Sequence, residues 1–334
     1  MEVKALKIVL ETPKKIVIIP HKNPDGDAIG SCLAVFHYLK KKNHDLTVIS
    51  PNNYPDFLKW VPGEDNILNF ELNSKKANKI IKNADLIFTL DFNALDRVNG
   101  MKGVLESSGA DFVMIDHHQQ PENYAKFTFS DAQMSSTCEM VYHFIVSMGD
   151  HREIDVDIAT CLYTGIMTDT GSFRFPSTTS GTHIVVADLI DKGAKNFEIH
   201  NAVYDTNSLD KLHLLGHALK NLVQIDGLNT VYLTLTRKEL DLYNFKKGDT
   251  EGFVNYGLSL QGVKFAAIFI EDSQENFIKI SFRSKGGFSV NDFARKHFEG
   301  GGHTNAAGGR SNLSMEETIK KFNKIIPDYK NELA

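Results

Sequence analysis

The stretch KIVIIPHKNPDGDAIGS, residues 15–31, joins a run of β-branched residues to a loop that contains one histidine and two aspartates. The apolar run at 16–19 is typical of a parallel strand that is buried on both faces. Residues 28–43, AIGSCLAVFHYLKKKN, carry apolar side chains at helical spacing and end in lysines, which suit a helix C-terminus. The stretch therefore predicts a strand, a polar loop and a helix, which is the first unit of an α/β sheet.

Strands and helices alternate through the rest of the first half of the chain. Apolar runs predict further strands at 45–50, 85–91 and 111–118. The segment 74–84 predicts a helix with Ser74 as its cap. This alternation favours an N-terminal, mostly parallel β-sheet that is flanked by helices.

The second half of the chain changes character from Ser135 onwards. Helical patterns occupy 135–149, 155–171, 179–194 and 208–227. Strand patterns follow at 229–236, 263–272 and 276–284, before a helix at 289–298 and a final charged helix. We expect a smaller C-terminal α/β domain, with a first domain at 1–192, a helical linker region at 193–212 and a second domain at 213–334.

Composition and charge argue against several classes of protein. The chain has 334 residues, of which 42% are hydrophobic and 24% charged, and a formal net charge of −5. A protein that binds long nucleic acid usually has a surplus of positive charge. This chain has a negative net charge, so we do not expect long nucleic acid as a partner. No window approaches the ~20 apolar residues of a membrane span, and the N-terminal apolar stretch is too short for a signal peptide. Three scattered cysteines suit a reducing compartment, so we expect a cytoplasmic protein and leave a homodimer open.

Residues of the types that commonly bind metals occur where the predicted strands and helices end. They are His21, Asp25, Asp27, Asp91, Asp116, His117, His118 and Asp169. Ligands of open α/β sheets bind beyond the carboxyl ends of the strands. Carboxylates and imidazoles together suit Mn²⁺ and accept Mg²⁺, Co²⁺ or Zn²⁺. A lone aspartate is most often a helix cap and a lone histidine a partner of a carbonyl, but the joint pattern indicates two cations about 3.5–4 Å apart.

The loop glycines and proline fit this prediction. We expect Pro24 and Gly26 to provide a tight backbone that directs Asp25 and Asp27 apart. Gly30 is expected to let the following helix pack closely.

In order, the motifs HKNPDGDAIGS, LDFNALDR, IDHH and GIMTDTG resemble those of the DHH phosphoesterases, and GGGH in the tail resembles the DHHA1 domain. The chain is most similar to the subgroup of nano-RNases (oligoribonucleases) and pAp phosphatases. The resemblance implies an active site in the cleft between the two domains. It implies one ion on His21, Asp25 and Asp91, and another on Asp27, Asp91, His117 and Asp169.

The same resemblance implies further roles around the ions. His118 and Arg97 would lie beside the phosphate, and Asp116 would orient a ligand histidine. Cys138 and Glu299 depart from the family pattern, and neither is expected to touch a ligand.

A basic, glycine-rich region near the C-terminus suits phosphate binding. From Lys279 to Arg310 there are six basic and two acidic residues, a local net charge of +4. Glycines let a phosphate approach main-chain N–H groups, and arginine and histidine add charged donors. The alternative is a flexible turn with solvated charges. The predicted substrate-binding residues are Arg283, Ser284, Lys285, Gly301, Gly302 and His303.

The resulting hypothesis is a hydrolase that activates water with two metal ions. Its expected substrates are pAp (3′-phosphoadenosine 5′-phosphate), very short oligoribonucleotides and linear dinucleotides, with mononucleotides as products. A pyrophosphatase or exopolyphosphatase, and a nucleotide sensor without turnover, stay open as alternatives.

Overall fold

The structure is a computed structural model that describes residues 3–271 and 277–334. The chain divides into two compact units, Met1–Thr206 and Asn207–Ala334. Within the region expected to be a linker, the helix Asn196–Tyr204 packs Ile199 and Val203 into the core of the first unit.

The first unit contains eight helices and six strands among its described residues. The helices are α1 Lys4–Val9, α2 Gly26–Lys40, α3 Phe70–Lys82, α4 Lys102–Glu106, α5 Thr137–Ser147, α6 Val156–Asp169, α7 Ser180–Asp191 and α8 Asn196–Tyr204. The strands are β1 Lys15–Pro20, β2 Asp45–Ser50, β3 Ile67–Asn69, β4 Leu86–Leu90, β5 Asp111–Asp116 and β6 Phe127–Ser130. Short 3₁₀ segments lie at Asp56–Leu58, Glu64–Asn66, Leu95–Met101 and His151–Glu153.

The sheet of the first unit is wholly parallel, with the order β3-β2-β1-β4-β5-β6. Alternate residues of β1 enter different cores: Ile16 and Ile18 pack with α2, α5 and α6, whereas Val17 and Ile19 pack with α3 and α4. The prediction of a parallel sheet flanked by helices is therefore confirmed. Strand order reverses between β1 and β4, which is where ligands bind in open α/β sheets.

The second unit is built on a mixed sheet. Its helices are α9 Leu209–Lys220, α10 Arg237–Leu242, α11 Phe253–Leu258, α12 Val290–His297, α13 Met315–Ile325 and α14 Lys330–Leu333, with a 3₁₀ turn at Ile326–Tyr329. Its strands are β7 Val223–Ile225, β8 Thr230–Leu235, β9 Phe265–Glu271, β10 Ile278–Ser284, β11 Gly301–His303 and β12 Ala306–Ser311. The strand order is β11-β12-β10-β9-β8-β7, and only β8 and β9 are parallel neighbours in the described sheet. This α/β unit confirms the predicted second domain type.

Two helix predictions need correction. The helix predicted at 74–84 is the second part of Phe70–Lys82, because non-helical backbone at Asn73 separates it from a first turn; the cap of the whole element is Asn69, whose Oδ1 accepts a hydrogen bond from the N–H of Leu72 at 3.2 Å, instead of Ser74. The helix predicted at 208–227 ends at Lys220, because the chain turns there and Val223–Ile225 pairs with β8.

Several strands escaped prediction because they are short. Strands β3 and β6 lie at the two edges of the first sheet and have three and four residues. The glycine-rich segment, expected as a loop, forms the hairpin of β11 and β12. The predicted strand ends at Asp272 and Asn276 lie outside the described residues. Among the described helices, none has both the length and the apolar character needed to cross a bilayer.

Candidate functional site

The loop after β1 places the first three predicted ligands. Asp25 is the N-cap of α2, and its Oδ1 accepts hydrogen bonds from the N–H groups of Asp27 and Ala28, each at 3.1 Å. The cap, together with the start of the helix, directs Asp25 and Asp27 apart. Gly26 has a further role that was not expected: a Cβ there would lie 2.3 Å from the hydroxyl oxygen of Thr168, so this glycine permits helix contact.

Asp91 follows β4 in a left-handed conformation, with φ at +65°. Non-glycine residues seldom adopt this conformation, and such residues concentrate at functional sites. Its Oδ2 lies 3.3 Å from Nε2 of His21, and its Oδ1 lies 3.6 Å from Nε2 of His117. One carboxylate thus presents a separate oxygen to each of two imidazoles.

Backbone carbonyls orient both of these imidazoles. Nδ1 of His21 lies 2.8 Å from the carbonyl oxygen of Lys22, and Nδ1 of His117 lies 3.2 Å from that of Met134. A proton on Nδ1 makes each hydrogen bond, so Nε2 is the nitrogen that faces the carboxylates and that would bind a cation after losing its own proton. This arrangement is usual for histidines that bind metals through Nε2.

Asp27 and Asp169 complete a second group around His117. Nε2 of His117 lies 3.8 Å from Oδ2 of Asp27 and 3.4 Å from Oδ2 of Asp169, the last residue of α6. Asp27 is buried, and its two oxygens accept hydrogen bonds from the N–H groups of Thr137 at 2.6 Å and Cys138 at 2.8 Å. The expectation that Cys138 touches no proposed ligand is therefore wrong.

The ligand atoms form two compact groups. His21, Asp25 and Asp91 make one, and Asp27, His117 and Asp169 make the other, with the atoms of each group within 4.8 Å of one another. Hard carboxylate oxygens and imidazole nitrogens, largely buried together, suit divalent cations such as Mn²⁺. The six residues predicted as metal ligands are thus brought together, and their chemistry fits two cations.

The carboxylates strongly perturb the two histidines. Burial lowers the pKa of His21, but Asp25 and Asp91 more than offset this and raise it to about 10. Burial likewise lowers the pKa of His117, whereas Asp169, Asp27 and Asp91 raise it to about 9. Both imidazoles are therefore in the positively charged form, with a proton on each ring nitrogen, at neutral pH before a cation binds.

The buried Asp27 and Asp91 and the half-buried Asp25 respond differently to the cluster. Burial and the nearby charges of Asp91 and Asp169 raise the pKa of Asp27 well above its usual range. For Asp25 and Asp91 burial favours the neutral acid most strongly of any single cause, but the hydrogen bond from His21 and the nearby histidine charges together outweigh it and lower both pKa values. A divalent cation would relieve the repulsion that raises the pKa of Asp27.

His118 differs from its neighbour His117. Its Nδ1 lies 2.7 Å from Oδ1 of Asp116, so Asp116 orients His118, whereas the expected role was to orient a ligand histidine. Burial lowers the pKa of His118. The negative charge of Asp91 raises this pKa, but the positive charge of Arg97 lowers it again, and the resulting pKa is about 3. His118 is therefore neutral at pH 7. Arg97 lies in the 3₁₀ segment after β4, where its carbonyl oxygen accepts a hydrogen bond from the N–H of Lys22 at 2.7 Å.

Within the second unit, Arg283 and His303 occupy one level of the sheet. Arg283 on β10 and His303 on β11 are both register partners of Ala306 on β12. Partners at one level of an antiparallel sheet point to the same face, so the two side chains share a face. The sheet therefore brings these two predicted substrate residues to one place.

The other predicted substrate residues are engaged within their own unit. The buried Ser284 hydroxyl donates to the carbonyl oxygen of Phe288 at 2.7 Å, and the Lys285 ammonium donates to that of Leu258. The N–H of Gly302 donates to Oδ1 of Asn291 at 2.9 Å, so the expectation of an exposed donor is wrong at this position. Gly301 lies beside it on β11 as the register partner of Gly308.

Sequence reasoning missed the contribution of α5. Thr137 donates from its hydroxyl to Oδ1 of Asp91 at 2.9 Å, besides the N–H contact with Asp27. Ser136 and Glu139 have the spacing of a helix start, which could have located this N-terminus. The spacing carries no information about which carboxylates the helix would meet.

Comparison with known families agrees with the fold. The N-terminal domain of the DHH family matches residues 15–166, and the DHHA1 domain matches residues 231–332. The chain belongs to the DHH family and carries a DHHA1 domain, which makes it a phosphoester hydrolase.

Relatives with names extend this similarity over nearly the whole chain. The bifunctional oligoribonuclease and PAP phosphatase NrnA of Thermus thermophilus is 28% identical over 320 residues, covering 96% of this chain and 90% of the relative. The protein of the same name in Bacillus subtilis is 27% identical over 294 residues, covering 88% of each. An exopolyphosphatase-related protein from Bacteroides fragilis, known from a crystal structure, is 40% identical in sequence. The two structures match with a TM-score of 0.94 over 99% of this chain and 97% of the relative.

Proposed function

We propose that this protein hydrolyses pAp and very short oligoribonucleotides or linear dinucleotides to mononucleotides, with two divalent cations. The observation that carries the proposal is Asp91, which presents one oxygen to His21 at 3.3 Å and the other to His117 at 3.6 Å. A carboxylate between two ligand groups suits a pair of cations that share it. The names of the relatives from Thermus thermophilus and Bacillus subtilis support the substrate class.

The residues present would divide between two ions that share Asp91. One ion would bind His21, Asp25 and Asp91, and the other Asp27, Asp91, His117 and Asp169. Mn²⁺ is the preferred ion because the ligands mix carboxylate oxygen with imidazole nitrogen, and Mg²⁺ or Co²⁺ are alternatives. When bound, the ions would lower the pKa of water toward neutrality and neutralise charge on the phosphate.

Arg97 and His118 would act on the reacting phosphate in different ways. The Arg97 guanidinium is a permanent donor to phosphate oxygens. The Nδ1–H group of His118 donates a hydrogen bond to Asp116. The Nε2 atom of the neutral ring can therefore accept a proton or a hydrogen bond. An approaching phosphate favours the protonated ring, which then donates from Nε2 to a phosphate oxygen.

The substrate outside the reacting phosphate would bind the second unit. Arg283 and His303 share one face of its sheet and offer a guanidinium and an imidazole. Ser284, on the opposite face of β10, donates to the carbonyl oxygen of Phe288, and Asn291 accepts from the N–H of Gly302, so both hold main-chain groups next to Arg283 and His303 in place. We therefore assign catalysis to the first unit and most substrate recognition to the second.

A substrate panel tests the proposed function. Protein reconstituted with Mn²⁺ is assayed against pAp, RNA of two to four nucleotides, a linear dinucleotide, longer RNA, pyrophosphate and polyphosphate. The expected result is preference for the first three, with about two Mn²⁺ bound per chain. Asp27→Asn, purified in parallel, controls for contaminating nuclease.

One observation favours a second candidate function. The Bacteroides fragilis relative, at 40% identity, is described as exopolyphosphatase-related, so polyphosphate hydrolysis is the alternative. Preference for polyphosphate over pAp in the same panel would establish that alternative. Tight nucleotide binding without turnover would instead indicate a sensor.

A further inference from the structure

The first turn of α5 contacts both carboxylates at the centre of the site. The Thr137 hydroxyl donates to Oδ1 of Asp91 at 2.9 Å, and its N–H donates to Oδ2 of Asp27 at 2.6 Å. The N–H of Cys138 donates to the other oxygen of Asp27 at 2.8 Å. All four residues are buried, so these hydrogen bonds are shielded from water.

Local sequence fixes the position of this turn. The Ser136 side chain caps α5 by accepting a hydrogen bond from the N–H of Glu139 at 3.0 Å. The buried Glu139 carboxylate accepts from the hydroxyls of Ser135 and, at 3.1 Å, Thr182 on α7. The first N–H groups of a helix have no intrahelical acceptor, and Asp27 accepts those of Thr137 and Cys138.

The hydroxyl of Thr137 acts on Asp91, whereas its N–H acts on Asp27. The carboxylate of Asp91 rotates about a broad torsion, so its plane needs a fixed partner. A hydrogen bond to Oδ1 holds that oxygen on the side of His117, and Oδ2 consequently faces His21.

We infer that Thr137 is a positioning residue, whose hydroxyl sets the plane of Asp91 so that one carboxylate serves two cations. The inference rests on the proposed two-metal site. It concerns the hydroxyl alone, because the N–H contacts with Asp27 survive any substitution that keeps α5 in place. Loss of the hydroxyl leaves every proposed ligand present but frees Asp91 to turn.

The test compares Thr137→Val with Thr137→Ser. Valine keeps the branched shape and removes the hydroxyl, whereas serine keeps the hydroxyl. Mn²⁺ binding is measured by calorimetry, and the magnetic coupling between the two ions by electron paramagnetic resonance. We expect Thr137→Val to weaken binding of at least one Mn²⁺ by about 10–100-fold and to change the coupling, as for other groups that orient metal ligands. Thr137→Ser should retain most of both properties.

A matched control separates this role from general packing. Thr164 on α6 is equally buried, and its hydroxyl donates to the carbonyl oxygen of Thr160 at 2.7 Å. Thr164→Val should leave Mn²⁺ affinity and coupling unchanged even if it lowers thermal stability.

The outcomes distinguish failure of the inference from failure of the proposed function. Wild-type protein that binds fewer than two Mn²⁺ would refute the two-metal site, whatever the variants do. Wild-type binding of two ions with the same affinity and coupling in Thr137→Val would overturn the role of Thr137. If the valine variant does not fold, Thr137→Ala replaces it, and equal binding by the alanine and serine variants would overturn the inference.

Discussion

At the scale of single residues, the hydrogen-bond partner of Nδ1 distinguishes the roles of the three histidines of the site. His21 and His117 use Nδ1 on backbone carbonyls and turn Nε2 toward carboxylates, whereas His118 uses Nδ1 on Asp116. The same side chain therefore has two different chemical roles at adjacent positions. Asp91 has the central place, because its backbone conformation and both of its oxygens serve the cluster.

Replacing Asp91 by asparagine should separate charge from shape. Asparagine tolerates a positive φ, so the backbone after β4 can keep its conformation, but the shared negative charge is lost. Activity on pAp should fall by more than about 10²-fold, with weaker binding of both Mn²⁺ ions. Steady-state kinetics and metal analysis make the measurement, and exposed Asp96→Asn, which only loses a contact with Lys102, is the control. Near wild-type turnover in Asp91→Asn would show that Asp91 is not shared.

Metal binding should release protons at neutral pH. In the metal-free site the pKa of His21 is about 10 and that of His117 about 9, above the ordinary value of 6.5. Each ring must lose a proton before Nε2 can bind a cation, so Mn²⁺ affinity should rise with pH up to those values. Calorimetry in buffers of different ionisation enthalpy measures the protons released, and His151→Gln, a change outside the cluster, should not alter the number. Binding without proton release at pH 7 would contradict the prediction.

At the scale of elements, close approach of helices brings the ligands together. Asp27 lies in the first turn of α2, and α6 ends with Asp169, so the packing of these two helices sets the distance across the second group. A Cβ on Gly30 would lie 2.5 Å from the carbonyl oxygen of Cys161 and 3.0 Å from Sγ of Cys138. The expected role of Gly30 in close helix packing is therefore confirmed.

Gly30→Ala should destabilise the protein by forcing α2 away from α6. Overpacking of this kind costs about 1–3 kcal/mol in the free energy of unfolding. Gly103→Ala is the matched control, because no atom lies within 4 Å of a Cβ at that helical position, and it should be neutral or stabilise by up to about 1 kcal/mol. Chemical denaturation of the metal-free proteins measures the free energy of unfolding of both variants. Equal stability of the two variants would show that α2 and α6 can separate without cost.

At the scale of the whole molecule, charge is distributed unevenly along the chain. The formal net charge is −5, while the segment from Lys279 to Arg310 has a local net charge of +4. The acidic ligands belong to the first unit and the basic segment belongs to the second. We expect this distribution to limit the number of phosphates that the protein can bind.

Catalytic efficiency should be highest for pAp or for RNA of about two to four nucleotides. Additional phosphates find no matching charge on an acidic protein, and each phosphate contact would steepen the salt dependence of binding. The measurement is kcat/KM against RNA length up to about twenty nucleotides at two salt concentrations. A steady increase of kcat/KM with length, together with a steep salt dependence, would indicate an exonuclease that tracks along RNA.

His303→Ala should impair large and minimal substrates unequally. If His303 binds the substrate outside the reacting phosphate, hydrolysis of pAp and dinucleotides should fall strongly, whereas a minimal chromogenic phosphoester should be spared. Kinetics on both substrates make the comparison, with exposed Lys279→Ala, on β10, which β12 separates from β11, as the control. Equal losses on both substrates would place His303 in the reaction itself or in the fold.

The sequence by itself determined the parallel sheet and the second α/β unit, because β-branched runs and helical spacing are local patterns. Metal chemistry restricted the candidate ligands to the histidines and aspartates at the ends of elements, and the resemblance to the DHH family implied which six of them, from His21 to Asp169, are proposed as ligands. Tertiary structure alone decided that Asp116 orients His118, that Gly26 faces Thr168, and that α5 holds Asp27 and Asp91. Those contacts join residues from different elements or depend on a side-chain rotation, and neither distance nor rotation is encoded in the spacing along the chain.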